Sequence, residues 1–158
     1  LDVGWHHRAA QPPGTRLELD MARVSFDFDD TLLQTVPDGD QGLIEAGPNE
    51  PIIALMREHK AAGDTVLIVT SRCEKFEGVV THGWTERMAI ADFVVKHDLP
   101  ADLIIFTNGE DKAPMLVALG VVKHFDDDAD ELALLPDSIE GVLVPMHPAW
   151  GSDTGTEA

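Results

Sequence analysis

The sequence predicts an α/β fold: a three-layer, Rossmann-like domain around a central, mainly parallel five-stranded sheet. Three observations predict it. Short apolar, β-branched runs alternate along the chain with segments of helical period. The run at 65–69 (TVLIV) is apolar without alternation, the pattern of a strand buried on both faces of a parallel sheet. Polar groups follow these runs directly, where an open α/β sheet binds its ligands.

With 158 residues, 44% of them hydrophobic and 25% charged, the chain suffices for one domain with a sizeable core. Lys and Arg total 11 against 29 Asp and Glu, a net charge of −18. That balance opposes unaided binding to nucleic acid or an anionic membrane, since both need a positive surface. The single cysteine, Cys73, excludes an internal disulfide framework and fits a reducing compartment. No apolar run approaches membrane-spanning length and no signal-peptide core opens the chain, so the expected location is cytoplasmic.

Residues 1–20 carry Pro12-Pro13-Gly14 and the pair His6-His7 without a clear period, and read as an upstream extension or expression remnant before Met21. The core domain is expected over 21–147, with a polar tail over 148–158. The first strand leads into Asp27, Phe28, Asp29, Asp30 and Thr31. Three carboxylates so close together would destabilise a strand interior but suit a strand that ends at the sheet edge. On extended backbone Asp27 and Asp29 share a face, and a divalent cation is a natural way to hold clustered carboxylates together. A solvated acidic turn is the plain alternative, and these residues alone leave both open.

The stretch 34–47, rich in Gly, Pro and Asp, reads as a loop or short flap. Asn49 is the expected N-cap of a helix over 51–62, with Ile52, Leu55, Met56 and His59 on its inner stripe and Gly63 as its stop. The buried strand at 65–69 ends in Thr70, Ser71 and Arg72. An irregular stretch over 73–83 precedes a helix over 85–96 that packs Met88, Ile90, Ala91 and Val94 or Val95. A third buried strand, Leu103–Phe106, turns at Asn108-Gly109, and Asp111 is placed to cap a short helix carrying Lys112, Leu116 and Leu119. A fourth strand over 121–125 ends in Asp126, Asp127 and Asp128. A short helix over 129–135 and a fifth strand over 141–144 complete the pattern. Right-handed crossovers bring all the strand ends to one edge, so residues a hundred apart in sequence meet in one crevice.

With these motifs in this order, the chain resembles the haloacid dehalogenase-like (HAD) hydrolase superfamily over about residues 21–144. The opening Asp-x-Asp-x-Thr stands as Asp27-Phe28-Asp29-Asp30-Thr31, the strand-ending Thr as Thr70, the lysine before the fourth strand as Lys112, and the acidic pair as Asp126-Asp127. The FDDD and TSR segments are also similar to the 3′-phosphatase domain of polynucleotide kinases. The resemblance implies a Mg²⁺-dependent phosphomonoester hydrolase that works through an aspartyl-phosphate. Members often carry a separate cap domain, but residues 32–63 hold only a loop and one core helix and 71–111 are largely used by a core helix and strand, so no separate cap domain is expected. Asp27 is then the nucleophile and Asp29 the general acid and base, while Thr70 and Lys112 hold phosphoryl oxygens. The ion is held by Asp27, Asp127 and the backbone carbonyl of Asp29. Asp126 stays a candidate ligand because three consecutive aspartates leave the register open, although alignment on the strand favours Asp127. Thr31 and Ser71 are expected at the substrate, and Arg72 at a second anionic part of it.

The chemistry of the groups agrees with this assignment, since phosphoryl transfer is mostly positioning and charge neutralisation. The expected substrate is a nucleotide or other small phosphomonoester; a 3′-phosphorylated nucleic-acid end is possible in principle but disfavoured by the charge. A non-catalytic phosphoacceptor resembling a receiver domain is the alternative from another class. Its phosphorylated Asp should directly follow the third strand, where Phe106-Thr107-Asn108 stands instead. Cys73 has Val79 six positions on, not the arginine of a cysteine phosphatase. His82, His124 and His147 lack metal-ligand spacing and read as structural or surface residues, and Trp84 and Trp150 as packing.

Overall fold

In the computed structural model, which describes residues 21–39, 42–78 and 88–151, five parallel strands form the central sheet. The elements are β1 Arg23–Phe26, β2 Leu33–Asp38, β3 Gly42–Pro48, α1 Glu50–Ala61, β4 Thr65–Thr70, α2 Ile90–Lys96, β5 Leu103–Phe106, α3 Lys112–Ala118, β6 Lys123–Asp126, α4 Ala129–Ala133 and β7 Glu140–Leu143. The sheet order is β5-β4-β1-β6-β7, and β2 pairs with β3 as a separate antiparallel ribbon. Numbered by sheet strand alone, this is the doubly wound order 3-2-1-4-5, whose topological switch falls between β1 and β6. A receiver domain has the order 2-1-3-4-5. The strand order therefore departs from that of a receiver domain.

Strand alternation sorts the core into two layers of apolar contact. Val24, Phe26, Val66 and Ile68 face Ile53 and Met56 of α1 and Ile90 and Phe93 of α2. Leu67 and Val69 face the other way, onto Leu116 of α3, Val121 and Ile139. Residues on alternate positions of β4 thus serve opposite faces, as its unbroken apolar run requires.

Local differences from the sequence reading have identifiable causes. The expected loop at 34–47 is the β2–β3 hairpin, with Gly39 at φ 63. Pro37 lies within β2, and a two-stranded ribbon has an open side where its missing N–H costs no ladder bond. Asn49 sits at the N-cap position but its side chain makes no cap bond. Pro51 has no N–H to offer, and the Ile52 amide already bonds the Asn49 carbonyl at 3.1 Å. Asp111 likewise makes no side-chain cap, since Pro114 at the third helical position has no N–H to offer, and the Lys112 amide donates to Glu131 Oε2 at 3.2 Å. Helix α2 starts at Ile90 because Ala89 is extended, and it buries Ile90 and Phe93 while Ala91 and Val95 face solvent. His6, His7, His82 and Trp84 lie outside the described residues. A 3₁₀ turn, Pro148–Trp150, returns the chain to the hairpin, where the Trp150 indole donates to the Thr35 carbonyl at 2.7 Å. Among the described residues no helix is long and apolar enough to cross a membrane.

Candidate functional site

The carboxyl ends of β1 and β6 meet at the topological switch. The Asp27 amide adds one rung beyond β1 by donating to the Phe125 carbonyl at 2.8 Å. The chain then bends: the Phe28 carbonyl accepts from the amides of Thr31, Leu32 and Leu33 at 3.2, 2.9 and 3.1 Å. Asp30 closes this turn at φ 62, a left-handed conformation that Asp tolerates better than most residues, and its Oδ1 accepts from the Thr35 amide at 3.1 Å. The turn buries Thr31 completely, with its hydroxyl 3.2 Å from both Asp27 Oδ2 and Asp127 Oδ1. One hydroxyl proton serves one carboxylate at a time, so Thr31 ties β1 to the loop after β6 from either side.

Lys112, the first residue of α3, is only 3% exposed. Its Nζ lies 2.9 Å from Asp27 Oδ1 and 2.7 Å from Asp126 Oδ2. The same Asp126 oxygen is 2.9 Å from His124 Nε2, while Asp126 Oδ1 accepts from the Asp128 amide at 3.0 Å. Burial pushes the Asp27 carboxyl well above the usual aspartate range; Lys112 opposes the shift and Asp126 and Asp127 reinforce it. Burial also raises Asp127. At Asp126 burial acts in the same direction but is outweighed by His124 and Lys112, which hold this carboxyl below its usual range. The Lys112 ammonium stays above the ordinary lysine value because Asp27 and Asp126 outweigh its own desolvation.

Asp27, Asp126 and Asp127 each present an oxygen within 4.8 Å of the others. An all-oxygen, all-carboxylate donor set of this kind fits a hard divalent cation such as Mg²⁺. Asp128 is exposed and caps α4, accepting from the Asp130 amide at 2.9 Å, so it stands apart from that cluster.

Arg72, 6% exposed, faces Asp29. Its Nε and Nη2 donate to Asp29 Oδ2 and Oδ1 at 2.8 and 2.7 Å. Its Nη1 donates to Glu77 Oε2 and to the Met88 carbonyl, both at 2.9 Å, and the guanidinium carbon lies 4.8 Å above the Phe28 ring. Desolvation works against the guanidinium, yet Asp29 and Glu77 hold its pKa above the arginine norm. The bend at Phe28 thus gives Asp29 a different set of partners from Asp27, although the two were expected to share a face. Thr70 is buried and its hydroxyl accepts from the Arg72 amide at 3.2 Å. Ser71 is exposed and its carbonyl accepts from the Gly109 amide at 2.8 Å.

Sequence reasoning missed three side chains here. His124 and Ser25 form a buried pair, Nδ1 to Oγ at 2.7 Å, beneath Asp126. The signal was present: His124 and Asp126 differ by two on one strand and so share a face. Glu77, the second carboxylate on Arg72, lies in an irregular stretch with no period to flag it. His147 caps the 3₁₀ turn, accepting from the Ala149 amide at 3.1 Å.

No family model and no curated protein matches the sequence. Chains in two solved structures share the fold. A chain in the structure of the Pnkp1/Rnl/Hen1 complex superposes with a TM-score of 0.56 at 14% identity, covering 92% of this chain and 52% of that one. A chain in the structure of the Pnkp1/Rnl/Hen1 RNA repair complex gives 0.52 at 12% identity, with 87% and 45% covered. A hypothetical protein from Xanthomonas campestris gives 0.49 at 18% identity, with 87% and 71% covered. The chain thus spans about half the length of the two RNA-repair chains.

Proposed function

We propose that the protein is a Mg²⁺-dependent phosphomonoester hydrolase of the HAD type that works through an aspartyl-phosphate on Asp27. The observation that carries the reading is the buried Lys112 ammonium, held between Asp27 and Asp126 while Thr31 links Asp27 to Asp127. Groups from both ends of the chain converge at the topological switch, where doubly wound sheets bind ligands.

Asp27, Asp127 and the Asp29 carbonyl would hold Mg²⁺, with Asp126 adjacent. When bound, the ion supplies charge neutralisation for the carboxylates and for one phosphoryl oxygen. An Asp27 oxygen attacks phosphorus in line; the new P–O bond forms as the bond to the leaving oxygen breaks. Asp29 gives its proton to that leaving oxygen, then takes a proton from the water that attacks the aspartyl-phosphate. The second attack breaks the Asp27–phosphorus link and releases inorganic phosphate. Because Asp29 accepts from Arg72 through both oxygens, carrying that proton requires one of these bonds to open. In this reading Arg72 orients the acid rather than binding a remote anion. Lys112 and Thr70 line the phosphoryl oxygens, and Thr31 sets the distance between the two carboxylates it touches.

The favoured substrate class is a nucleotide or another small phosphomonoester. Phosphorylated nucleic-acid ends are the second reading, favoured by the fold shared with chains of the Pnkp1/Rnl/Hen1 complexes. The net charge of −18 weighs against it, and so does the pairing of Arg72 and Lys112 with acidic partners. The test is release of inorganic phosphate from an aryl phosphate, nucleoside 3′- and 5′-monophosphates, sugar phosphates and 3′-phosphorylated oligonucleotides, each with Mg²⁺ and with chelator. Turnover on the small esters only with Mg²⁺ supports the proposal. Preference for oligonucleotides selects the second reading, and no turnover on any of them defeats both.

A further inference from the structure

A continuous polar chain runs beneath the carboxylates. Ser25 Oγ lies 2.7 Å from His124 Nδ1, and His124 Nε2 lies 2.9 Å from Asp126 Oδ2. Lys112 Nζ reaches the same Asp126 oxygen at 2.7 Å and Asp27 Oδ1 at 2.9 Å. Ser25 and His124 are cross-strand partners in the β1–β6 register, and Asp27 and Asp126 follow two and two residues on, so all four share one sheet face. Ser25, His124 and Asp126 have exposures of 0%, 1% and 0%. Polar groups this deep are costly unless each is partnered, and an apolar pair of similar shape would fill the space without that demand. Packing alone therefore gives no reason for a serine and a histidine here.

The geometry points to His124 as a positioning residue: braced by Ser25, it fixes the Asp126 carboxylate, and Asp126 in turn fixes the Lys112 ammonium against Asp27. Asp126 receives three donors, His124 Nε2 and Lys112 Nζ on Oδ2 and the Asp128 amide on Oδ1. Both oxygens are thereby committed. Without His124, Oδ2 keeps only the lysine, and rotation of the carboxylate carries Lys112 with it. The His124 ring bonds Ser25 and Asp126, so it acts through Asp126. Partners one step behind a metal site commonly influence affinity or activity by about 10–100-fold.

The structural claim does not depend on the phosphatase reading, though its effect on turnover does. The test uses the whole chain as wild type, His124→Met, His124→Gln and Ser25→Ala, with folding checked by circular dichroism. The first readout is the ¹H–¹⁵N signal of the Lys112 ammonium, with the Ile53 and Met56 amides of α1, on the opposite sheet face, as internal controls. His124→Met should move or broaden the Lys112 signal, His124→Gln should restore it in part, and the α1 amides should stay in place. Mn²⁺ affinity, read from free Mn²⁺ by electron paramagnetic resonance, should fall about 10–100-fold in the Met variant and less in the Gln variant. In active protein kcat should fall with KM little changed. A folded His124→Met variant with a wild-type Lys112 signal overturns the inference and leaves His124 a core filler. If that variant does not fold, Ser25→Ala decides, since freeing the ring must shift the same signal. Wild-type protein without phosphatase activity defeats the functional proposal while the Lys112 readout stands on its own.

Discussion

Replacing Lys112 with Met isolates the electrostatic logic of the site. The ammonium is 3% exposed and bonded to Asp27 at 2.9 Å and to Asp126 at 2.7 Å, and both of these carboxylates are buried as well. Removing one partner from a buried ion pair leaves an uncompensated charge and costs about 3–5 kcal/mol. Native domains have about 5–15 kcal/mol in total, so the variant should be folded but marginal. The loss should also depend on pH. Burial raises Asp27 above its unfolded value, so the stability tied to that group is whole below the ordinary aspartate range and declines as pH rises through the raised value. Lys112 opposes that rise, and without it the Asp27 pKa moves higher still. Urea denaturation of wild type and Lys112→Met at a series of pH values should show a gap that is smallest in acid and widens toward neutrality. Adding Asp27→Asn to the Lys112 variant removes the stranded charge and should recover much of the loss. A cost below about 1 kcal/mol that does not change with pH would be the behaviour of an exposed pair, and it would refute the buried arrangement.

Three further expectations are independent of that experiment. Mg²⁺ should stabilise the folded protein by about 2.7 kcal/mol at a hundredfold excess over its dissociation constant, read as a rise in Tm that Asp127→Asn abolishes. Asp29→Asn should lower kcat by about 10²–10⁴-fold on an alkyl phosphate, and by less on a nitrophenyl phosphate whose leaving group needs no proton; an equal loss on both would remove Asp29 from the acid role. Trp150→Phe should cost about 1 kcal/mol by deleting the indole bond to the Thr35 carbonyl, with thermal unfolding as the readout and activity on small esters unchanged.

Much of the architecture was legible because apolar runs mark strands. TVLIV at 65–69 became the buried strand β4 at nearly the expected bounds. Leu103–Phe106 became β5 at the expected bounds but, as an edge strand, is only half-buried with Leu103 exposed, which corrects its reading as a buried strand. The strand ends carried Asp27, Thr70 and Asp126 to one edge. What stayed hidden was set by tertiary partners. The caps are an exception: Pro51 and Pro114 each remove an N–H from the first turn, a local reason that Asn49 and Asp111 make no side-chain cap bond. Gly, Pro and Asp over 34–47 read as breakers, yet an isolated two-stranded ribbon accommodates them. Within the site, the residue types were readable but their pairing was not. Arg72 was expected at an anionic part of the substrate, and the sequence did not show that the bend at Phe28 would bring Asp29 to it or that Glu77 would join from the irregular stretch that follows. The two-residue spacing of His124 and Asp126 was readable on one strand, but the pairing of His124 with Ser25 exists only through the β1–β6 register.

The central claim is that Asp27 itself becomes phosphorylated. Incubating the protein with Mg²⁺ and a hydrolysable phosphate ester, quenching in acid within the first turnover and mapping the modified peptide by tandem mass spectrometry reads that event directly. The account predicts an acyl-phosphate on Asp27, absent with chelator and absent in Asp27→Asn, which should also be inactive. Phosphate on another residue, or undiminished hydrolysis by Asp27→Asn, would contradict it.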